Sequence, residues 1–235
     1  MMLPINKRYT VLVGNYGSGK TELAIAIART QRAQEAEGRV ALVDLDIVNP
    51  YFRSAEQHAL LEAEGIEVFM PSFAMSTVDI PALPAQIQAV FEQPYAHVVI
   101  DVGGDDTGAT ALGRYAPYTR ALREEMNVLY VVNPCRPFSA SVEDIAGLYR
   151  LIERQARLTP DHLVNNANLQ EFTTPEVLLA GQELLEKVAA LLGRPVSMIA
   201  GRPHLKDALP DALKPLFFAF EPLMKPEWLV DADEL

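Results

Sequence analysis

The chain has 235 residues, which is enough for one large α/β domain with a full hydrophobic core. Apolar residues make up 49% of the sequence and charged residues 22%, proportions that are ordinary for a globular protein and argue against disorder. The 31 acidic residues outnumber the 20 basic residues, and the net charge of −11 opposes binding to nucleic acid and to anionic membranes.

The first half of the sequence alternates short apolar runs with longer helical patterns. Gly65 follows one helical pattern, and glycine favours the position just after a helix end. Pro81 lies near the start of the next pattern, where a proline is tolerated because its missing N–H would have no helical partner. The predicted elements are, in chain order, a strand at 9–13, a helix at 21–34, a strand at 39–43, a helix at 54–64, a short strand at 67–70, a helix from 79 to about 93 and a strand at 97–100.

The second half continues the same alternation. Its predicted elements are a helix at 109–125, a strand at 127–132, a helix at 139–157, a strand at 162–164, a helix at 175–192 and a last strand at 196–199. Continuous apolar strands separated by helices indicate a mostly parallel sheet with helices on both faces, which is a three-layer α/β fold. We expect one domain over 1–235, with a proline-rich extension of short helices and turns from about 201, in which Phe217 and Phe218 are core or subunit contacts.

A glycine-rich loop lies between the first predicted strand and the first predicted helix and matches the pattern G-x-x-x-x-G-K-[ST]. Such a loop wraps its backbone N–H groups round a polyphosphate, and its glycines supply the backbone freedom that this needs. Lys20 is expected to reach the β- and γ-phosphates as a catalytic residue, and Thr21 to place its hydroxyl on Mg²⁺. We therefore predict a three-layer P-loop NTPase that binds a nucleoside triphosphate with Mg²⁺. The predicted nucleotide-binding residues of this loop are Gly14, Asn15, Tyr16, Gly17, Ser18, Gly19, Lys20 and Thr21.

Two predicted strands end in aspartates that suit Mg²⁺. Asp101 ends the apolar run 98–100, where a Walker B aspartate holds Mg²⁺ through water because the ion keeps several of its waters. Asp44 ends the strand after the phosphate loop and is predicted to lie near the Mg²⁺ shell. Asp46 lies on the same side of an extended backbone and is predicted to orient the attacking water. The alternatives are a turn-capping Asp101 and an Asp46 without a catalytic role.

Gly104, Asp105 and Asp106 follow shortly after Asp101. The backbone of Gly104 is predicted to sense the γ-phosphate, because a glycine-rich turn is free to close on it. Asp105 and Asp106 have two interpretations. They cap the next helix, or they join the water shell of Mg²⁺ or bind a second substrate.

Cys135 and Arg136 follow the strand predicted at 127–132. Arg136 is a candidate phosphate clamp or, in a dimer, an arginine finger, and the alternative is an ordinary surface salt bridge. Cys135 is the single cysteine, which excludes an internal disulfide and a cysteine cluster for a metal within one chain. A packed small residue is favoured over a reactive thiol at this position.

Four segments together resemble the MinD/ParA/CobQ-type P-loop ATPases, a group that includes the nitrogenase iron protein. They are the phosphate loop, the D-x-D at 44–46, the apolar-D-x-G-G segment at 98–104 and the strand that ends in Asn165 and Asn166. The resemblance extends over roughly residues 9–200. The stretches 44–53, 101–115 and 133–138 resemble a bacterial branch of the group.

The resemblance implies a particular arrangement of sheet and switches. The sheet is expected to be all-parallel, with the phosphate-loop strand beside the strand of Asp101. The implied switch regions are 44–53 and 101–108, and Asp46 is implied to support hydrolysis.

The phosphate loop departs from the resemblance at Asn15. Many members carry a second lysine at this position, which reaches across a dimer to the partner's nucleotide, whereas this loop continues from Asn15 to Tyr16 and is closer to a plain Walker A. Without that lysine, the sequence does not predict a dimer that shares its nucleotides, and a homodimer is one possible state of the protein. The resemblance implies base recognition by Asn166, with Asn165 as the reserve choice. Because the guanine-specific pattern N-K-x-D is absent, we favour ATP over GTP.

Three functions are compatible with these residues. The first, which we favour, is a slow ATPase that acts as a nucleotide-driven switch on a protein partner. The second is an ATP-dependent small-molecule kinase or ligase of the dethiobiotin-synthetase or cobyrinate-amidase kind, with 71–84 lining an acceptor pocket. The third, a positioning protein on DNA or a membrane, is opposed by the net charge. The short polar N-terminus and the lack of any apolar run of about 18 residues predict a cytoplasmic protein.

Overall fold

The fold is built around one parallel β-sheet. A computed structural model describes residues 3–35, 37–46, 55–70, 85–104 and 106–223. The strands are β1 (Tyr9–Gly14), β2 (Val40–Leu45), β3 (Ile66–Phe69), β4 (His97–Val102), β5 (Met126–Val132), β6 (His162–Asn165), β7 (Val196–Gly201) and β8 (Phe217–Ala219). Within the described residues the sheet has eight strands in the order β3-β2-β4-β1-β5-β6-β7-β8, and every pairing is parallel.

Helices cover both faces of this sheet. They are α1 (Lys20–Gln34), α2 (Ala55–Ala63), α3 (Ala85–Glu92), α4 (Asp106–Gly113), α5 (Ala116–Ala121), α6 (Val142–Ala156) and α7 (Pro175–Leu192). In β1, Val11 and Val13 pack into one hydrophobic cluster and Leu12 into another, because successive side chains of a strand point to opposite faces. Helices α3, α4, α6 and α7 contribute to the first cluster, and α1 and α2 to the second. The three-layer α/β fold is thereby confirmed.

The helix predicted at 109–125 is wrong as a single element. The structure has α4, then α5, then a 3₁₀ turn at Arg123–Glu125. Pro117 lies in the first turn of α5, and a proline has no N–H with which to continue the hydrogen bonds of a preceding helix. The chain therefore starts a new helix at this point.

The prediction that the sheet ends at 196–199 is also wrong. Phe217–Ala219 forms the edge strand β8 beside β7, within the extension that was predicted to contain only helices and turns. Phe217 and Phe218 are buried there, as predicted for core contacts. A 3₁₀ turn at Lys214–Leu216, which contains Pro215, leads directly into this strand.

The parallel arrangement brings the carboxyl ends of the strands to one edge of the sheet. Strand β1 lies between β4 and β5, so the loops that follow these two strands are neighbours of the phosphate loop. The strand of the phosphate loop therefore lies beside the strand of Asp101, as the resemblance implied. In the register of β2 and β4, Asp44 lies opposite Asp101.

Several residues of interest lie outside the described residues. They are the part of the first switch region at 47–53, the segment 71–84 and Asp105. Asp106 is the first residue of α4. Of the helices in the described part of the chain, none is both long enough and apolar enough to cross a membrane.

Candidate functional site

The phosphate loop joins β1 to α1 and has the backbone shape that its glycines predicted. Gly17 and Gly19 have φ angles of 70° and 83°, in the left-handed region that other residues rarely adopt. A Cβ atom at Gly19 would collide with the side-chain amide of Asn166, and one at Gly14 with the carbonyl oxygen of Val131. Glycine at these positions therefore permits both the turn and its close contact with β5 and the end of β6.

Lys20, the first residue of α1, folds back over the phosphate loop. It is 7% exposed, and its ammonium group donates a hydrogen bond of 2.9 Å to the carbonyl oxygen of Asn15. The N–H of Ser18 donates to the same carbonyl at 3.2 Å. The Ser18 hydroxyl is buried and has no hydrogen-bond partner among the described residues. Because buried polar groups are normally hydrogen-bonded, this arrangement suits a ligand that supplies acceptor oxygens.

A hydrogen bond joins Thr21, in the first turn of α1, to Asp101 on β4. The Thr21 hydroxyl donates a hydrogen bond of 2.5 Å to Oδ2 of Asp101, which is 2% exposed. Burial raises the pKa of Asp101 to about 6, against the opposing effects of the Lys20 charge and the Thr21 hydrogen bond. Oδ1 of Asp101 is buried and has no hydrogen-bond partner in the part of the chain that the structure describes. A threonine hydroxyl beside a carboxylate oxygen of this kind is a donor set that suits Mg²⁺ and its water shell.

Asp44 and Asp46 bring two further carboxyl groups to this edge of the sheet. Asp44 is fully buried at the end of β2, and its Oδ1 accepts a hydrogen bond of 2.8 Å from the N–H of Asp46. The charge of Asp46 adds to the effect of burial in raising the pKa of Asp101. The described residues hold no group of three or more His, Cys, Asp or Glu side chains that could bind a metal ion. Mg²⁺ takes few protein ligands and keeps several waters, so a threonine with one or two aspartates is a sufficient donor set.

The loop after β4 lies directly against the phosphate loop. A Cβ atom at Gly104 would lie 2.5 Å from the backbone nitrogen of Tyr16 and 2.6 Å from its Cα. A Cβ atom at Gly103 would lie 3.3 Å from the carboxyl carbon of Asp46. The two glycines thus allow this loop to contact both the phosphate loop and the residue after β2. The predicted contact of Gly104 with a γ-phosphate stays a prediction.

Asn15 occupies the position where many relatives of the resembled group carry a lysine. Its side-chain amide donates to Oγ of Ser139 at 3.0 Å and to the carbonyl oxygen of Pro137 at 3.3 Å. Its side-chain oxygen accepts a hydrogen bond of 2.8 Å from the N–H of Tyr16. Asn15 therefore connects the phosphate loop to the loop after β5 within one chain.

Asn166 supports the phosphate loop from the other side. Its side-chain nitrogen donates a hydrogen bond of 2.7 Å to the carbonyl oxygen of Ser18. The reserve choice, Asn165, is buried and donates to the carbonyl oxygen of Leu178 at 2.9 Å while accepting from the N–H of Ala167 at 3.0 Å. The side chain of Asn165 thus connects the end of β6 to α7. Base recognition by Asn166 stays a prediction. In the structure, the side-chain nitrogen of Asn166 is hydrogen-bonded to the phosphate loop.

Asn133 and Ser139 are site residues whose structural role the sequence did not reveal. The side-chain oxygen of Asn133 accepts hydrogen bonds from the N–H groups of Cys135 at 3.0 Å and Asn168 at 3.1 Å. Asn133 therefore ties the loop after β5 to the loop after β6. The only local signal was an asparagine and a serine near strand ends, which is a common feature of ordinary turns.

Cys135 and Arg136 lie on the surface of the loop after β5. Cys135 is exposed and free, so the prediction of a packed residue is wrong. Arg136 is also exposed, and its side chain passes beside Gly17 of the phosphate loop. The surface salt bridge that was the alternative for Arg136 is absent from the ion pairs of the described residues.

The sheet order around β1, the glycine-dependent loop and the Thr21–Asp101 pair define a P-loop NTPase fold. The chain is similar in structure to FlhF complexed with GTP and Mg²⁺, with 16% identity, a TM-score of 0.50 and coverage of 84% of this chain and 67% of that one. It is also similar to FtsY from Mycoplasma mycoides, with 17% identity, a TM-score of 0.51 and coverage of 83% of this chain and 59% of FtsY.

These similarities establish the fold alone, because the sequence identities are low. The matched region spans less than two thirds of the FtsY chain. The sequence matches no protein-family profile and no curated protein. Neither similarity is to a protein named as a member of the MinD/ParA/CobQ group, so membership of that group stays a prediction.

Proposed function

We propose that the protein is a Mg²⁺-dependent ATP-binding protein that hydrolyses ATP slowly and acts as a nucleotide-driven switch on a protein partner. The observation that carries this proposal is the hydrogen bond from Thr21 to the buried Asp101, beside Lys20 folded over the phosphate loop. These three groups are the hydroxyl, the carboxylate and the ammonium that Mg²⁺ and a triphosphate require in a P-loop.

The site fits Mg²⁺ through Thr21, Asp101 and Asp44. These three residues would hold the ion, and a bound Mg²⁺ would neutralise part of the charge of the phosphates. Oδ1 of Asp101 is the buried oxygen that can accept from a water of the ion. Asp44, opposite it on β2, adds a second carboxylate at the same edge. The role proposed for Asp46, which is only partly buried, is to orient the attacking water.

A switch role is supported by the contact of the loop after β4 with the phosphate loop. Gly104 lies against the backbone of Tyr16, so a shift of either loop must displace the other. Asp46 lies beside Gly103 and couples the end of β2 to the same place. Contacts of a γ-phosphate with such loops order them, and hydrolysis releases them. A protein partner that binds these loops would then distinguish the two nucleotide states.

ATP is proposed over GTP because the sequence lacks N-K-x-D after β6, where Asn165 and Asn166 stand instead. GTP is the alternative, since FlhF, a structure of the same fold, is complexed with GTP and Mg²⁺. The kinase or ligase alternative relies on the plain Walker A loop, on Asp105 and Asp106, and on the segment 71–84. Of these, the segment 71–84 and Asp105 lie outside the described residues. A homodimer is compatible with the proposal but is not required by it.

The first experiment compares ATP and GTP in binding and hydrolysis with Mg²⁺, with the purified protein alone and with a metabolite pool added. Slow ATP turnover that is indifferent to metabolites supports the switch ATPase. Turnover that appears only with the pool supports a kinase or ligase instead.

Lys20→Ala is expected to abolish nucleotide binding, since it removes the ammonium at the centre of the loop. Undiminished ATP affinity in that variant would refute the proposed site.

A further inference from the structure

Arg136 reaches the phosphate loop from the loop that follows β5. Its Cδ and Nε atoms each lie 3.8 Å from the point that a Cβ atom at Gly17 would occupy. Gly17 has a φ angle of 70° and forms the outer turn of the phosphate loop. The side chain of Arg136 therefore lies along the loop at a place where glycine leaves room for it.

The guanidinium group of Arg136 is exposed and makes no hydrogen bond or ion pair within the described residues. Other arginines of the chain are paired with carboxylates, as Arg29 is with Glu64 and Arg39 with Glu67. Acidic residues are abundant, with 31 in the sequence, yet none occurs between 133 and 139. Among the described residues, therefore, no ion pair holds this cation away from the phosphate loop.

The backbone that carries Arg136 is fixed to the phosphate loop. Asn15 donates to Ser139 at 3.0 Å and to the carbonyl oxygen of Pro137 at 3.3 Å. The N–H of Arg136 donates to the carbonyl oxygen of Asn133 at 3.1 Å, and its own carbonyl accepts from the N–H of Ser139 at 3.2 Å. The position of Arg136 relative to the loop is thus set by contacts on both sides of it.

The charges at the site favour a second positively charged side chain in addition to Lys20. The Lys20 charge acts on Asp101, which lies beside Asp44 in the register of β4 and β2, and a bound triphosphate would add further negative charge. Arginine suits this task, because its planar fork binds two phosphate oxygens at once. We propose that Arg136 binds the phosphates of a nucleotide held by the same chain, a role that rests on the proposed nucleotide site.

The test measures affinities for a phosphate series, namely AMP, ADP and a non-hydrolysable ATP analogue with Mg²⁺, by isothermal titration calorimetry. If the protein binds guanine nucleotides more tightly, the corresponding GMP series replaces it. Arg136→Ala is expected to weaken binding of the triphosphate analogue about tenfold or more, the effect of losing charge-assisted hydrogen bonds. Binding of the monophosphate is expected to change little. Arg136→Lys is expected to recover part of the loss, because it keeps the charge but not the fork.

Arg154→Ala is the matched control, since it also removes one exposed arginine. Arg154 lies in the last turn of α6, and a helix that follows a parallel strand returns to the opposite edge of the sheet. Its nucleotide affinities are expected to equal those of the unmodified protein. The unfolding temperature of nucleotide-free Arg136→Ala is expected to be unchanged, because the side chain is exposed.

The outcomes distinguish this inference from the proposed function. If Arg136→Ala binds the triphosphate analogue normally while Lys20→Ala does not, the role of Arg136 is refuted and the nucleotide site stands. If the loss of affinity appears only as the protein concentration is raised, Arg136 acts on a second copy and the assignment within one chain is refuted. If the unmodified protein binds no nucleotide, the proposed function fails and this inference fails with it.

Discussion

Asp46 lies at the end of β2, two residues beyond the buried Asp44, and approaches Gly103 in the loop after β4. It is more exposed than Asp44 and Asp101, which belong to the Mg²⁺ donor set of the proposed site. A group in this position is suited to orient water rather than to hold the ion, and such groups contribute mainly to the chemical step. Asp46 therefore offers a way to separate binding from hydrolysis.

Asp46→Asn is expected to reduce ATP hydrolysis about 100-fold, the usual scale for a positioned catalytic group, while leaving nucleotide affinity nearly unchanged. The amide keeps the size of the side chain but not its charge. Phosphate release at saturating ATP gives the rate, and titration with a non-hydrolysable analogue gives the affinity. Glu183→Gln on the exposed side of α7 removes the same charge away from the site and is expected to change neither. Parallel losses of affinity and rate in Asp46→Asn would contradict the assignment.

The residues of the candidate site differ in how far the sequence could predict them. The phosphate loop is contiguous, and Asp44 and Asp101 end apolar runs, so a local pattern identifies all of them. The bond between Asn15 and Ser139 joins residues 124 positions apart, and no local pattern encodes such a contact. Sequence reasoning thus named Asn15 and Asn166 as site residues but did not predict the hydrogen bonds through which they fix the loops around the phosphate loop.

At the scale of elements, a polar network ties β2, β3 and the start of β4 together. Arg39 donates two hydrogen bonds of 2.7 Å to the carboxylate of Glu67 and a third of 2.7 Å to the Tyr95 hydroxyl. The Tyr95 hydroxyl in turn donates to Glu67 at 2.8 Å. The network lies before β2 and β4 begin, and hence at the edge of the sheet opposite the phosphate loop.

Tyr95→Phe is expected to lower the free energy of unfolding at pH 8 by about 1 kcal/mol, because it removes hydrogen bonds from a buried ring. Burial and the bond to Glu67 raise the pKa of Tyr95 to about 12, against about 10 in the unfolded chain. The protonated hydroxyl therefore stabilises the fold fully below about pH 10, and this contribution is lost as the pH rises towards 12. Urea unfolding of both proteins across this range measures the difference, which is expected to shrink as the pH rises.

Nucleotide binding serves as the control for this variant. Tyr95 lies at the edge away from the phosphate loop, so Tyr95→Phe is expected to bind nucleotide normally when folded. A stability difference that stays constant from pH 8 to pH 12 would show that the hydroxyl does not titrate as its burial requires.

The elements themselves were predictable wherever the apolar pattern was long. Strands β1, β2, β4 and β5 and helix α7 agree with the predicted ranges to within two residues at each end. Strand β8 has three residues and exists because it pairs with β7, so it leaves no periodic pattern. Pro117 causes the break between α4 and α5. The apolar pattern over 109–125 is typical of a helix throughout, so it did not indicate this break.

At the scale of the whole molecule, charge predicts how nucleotide binding at the proposed site depends on metal. The net charge is −11, and Asp44, Asp46 and Asp101 add local negative charge where a triphosphate would bind. Lys20 offsets only part of this charge. Without a divalent cation, the phosphates would be repelled by these buried carboxylates at short range. We therefore expect nucleotide binding to be weak in the absence of Mg²⁺.

Thermal unfolding makes this dependence measurable in the intact chain. A ligand that binds only the folded state at 100 times its Kd adds about 2.7 kcal/mol of stability. For a domain of this size we expect ATP with Mg²⁺ to raise the unfolding temperature by roughly 5–10 °C. Removing Mg²⁺ with EDTA is expected to abolish most of the shift, and Lys20→Ala to show no shift under either condition. An equal shift with and without Mg²⁺ would mean that the nucleotide binds without the Thr21–Asp101 pair, and it would overturn the metal-dependent site.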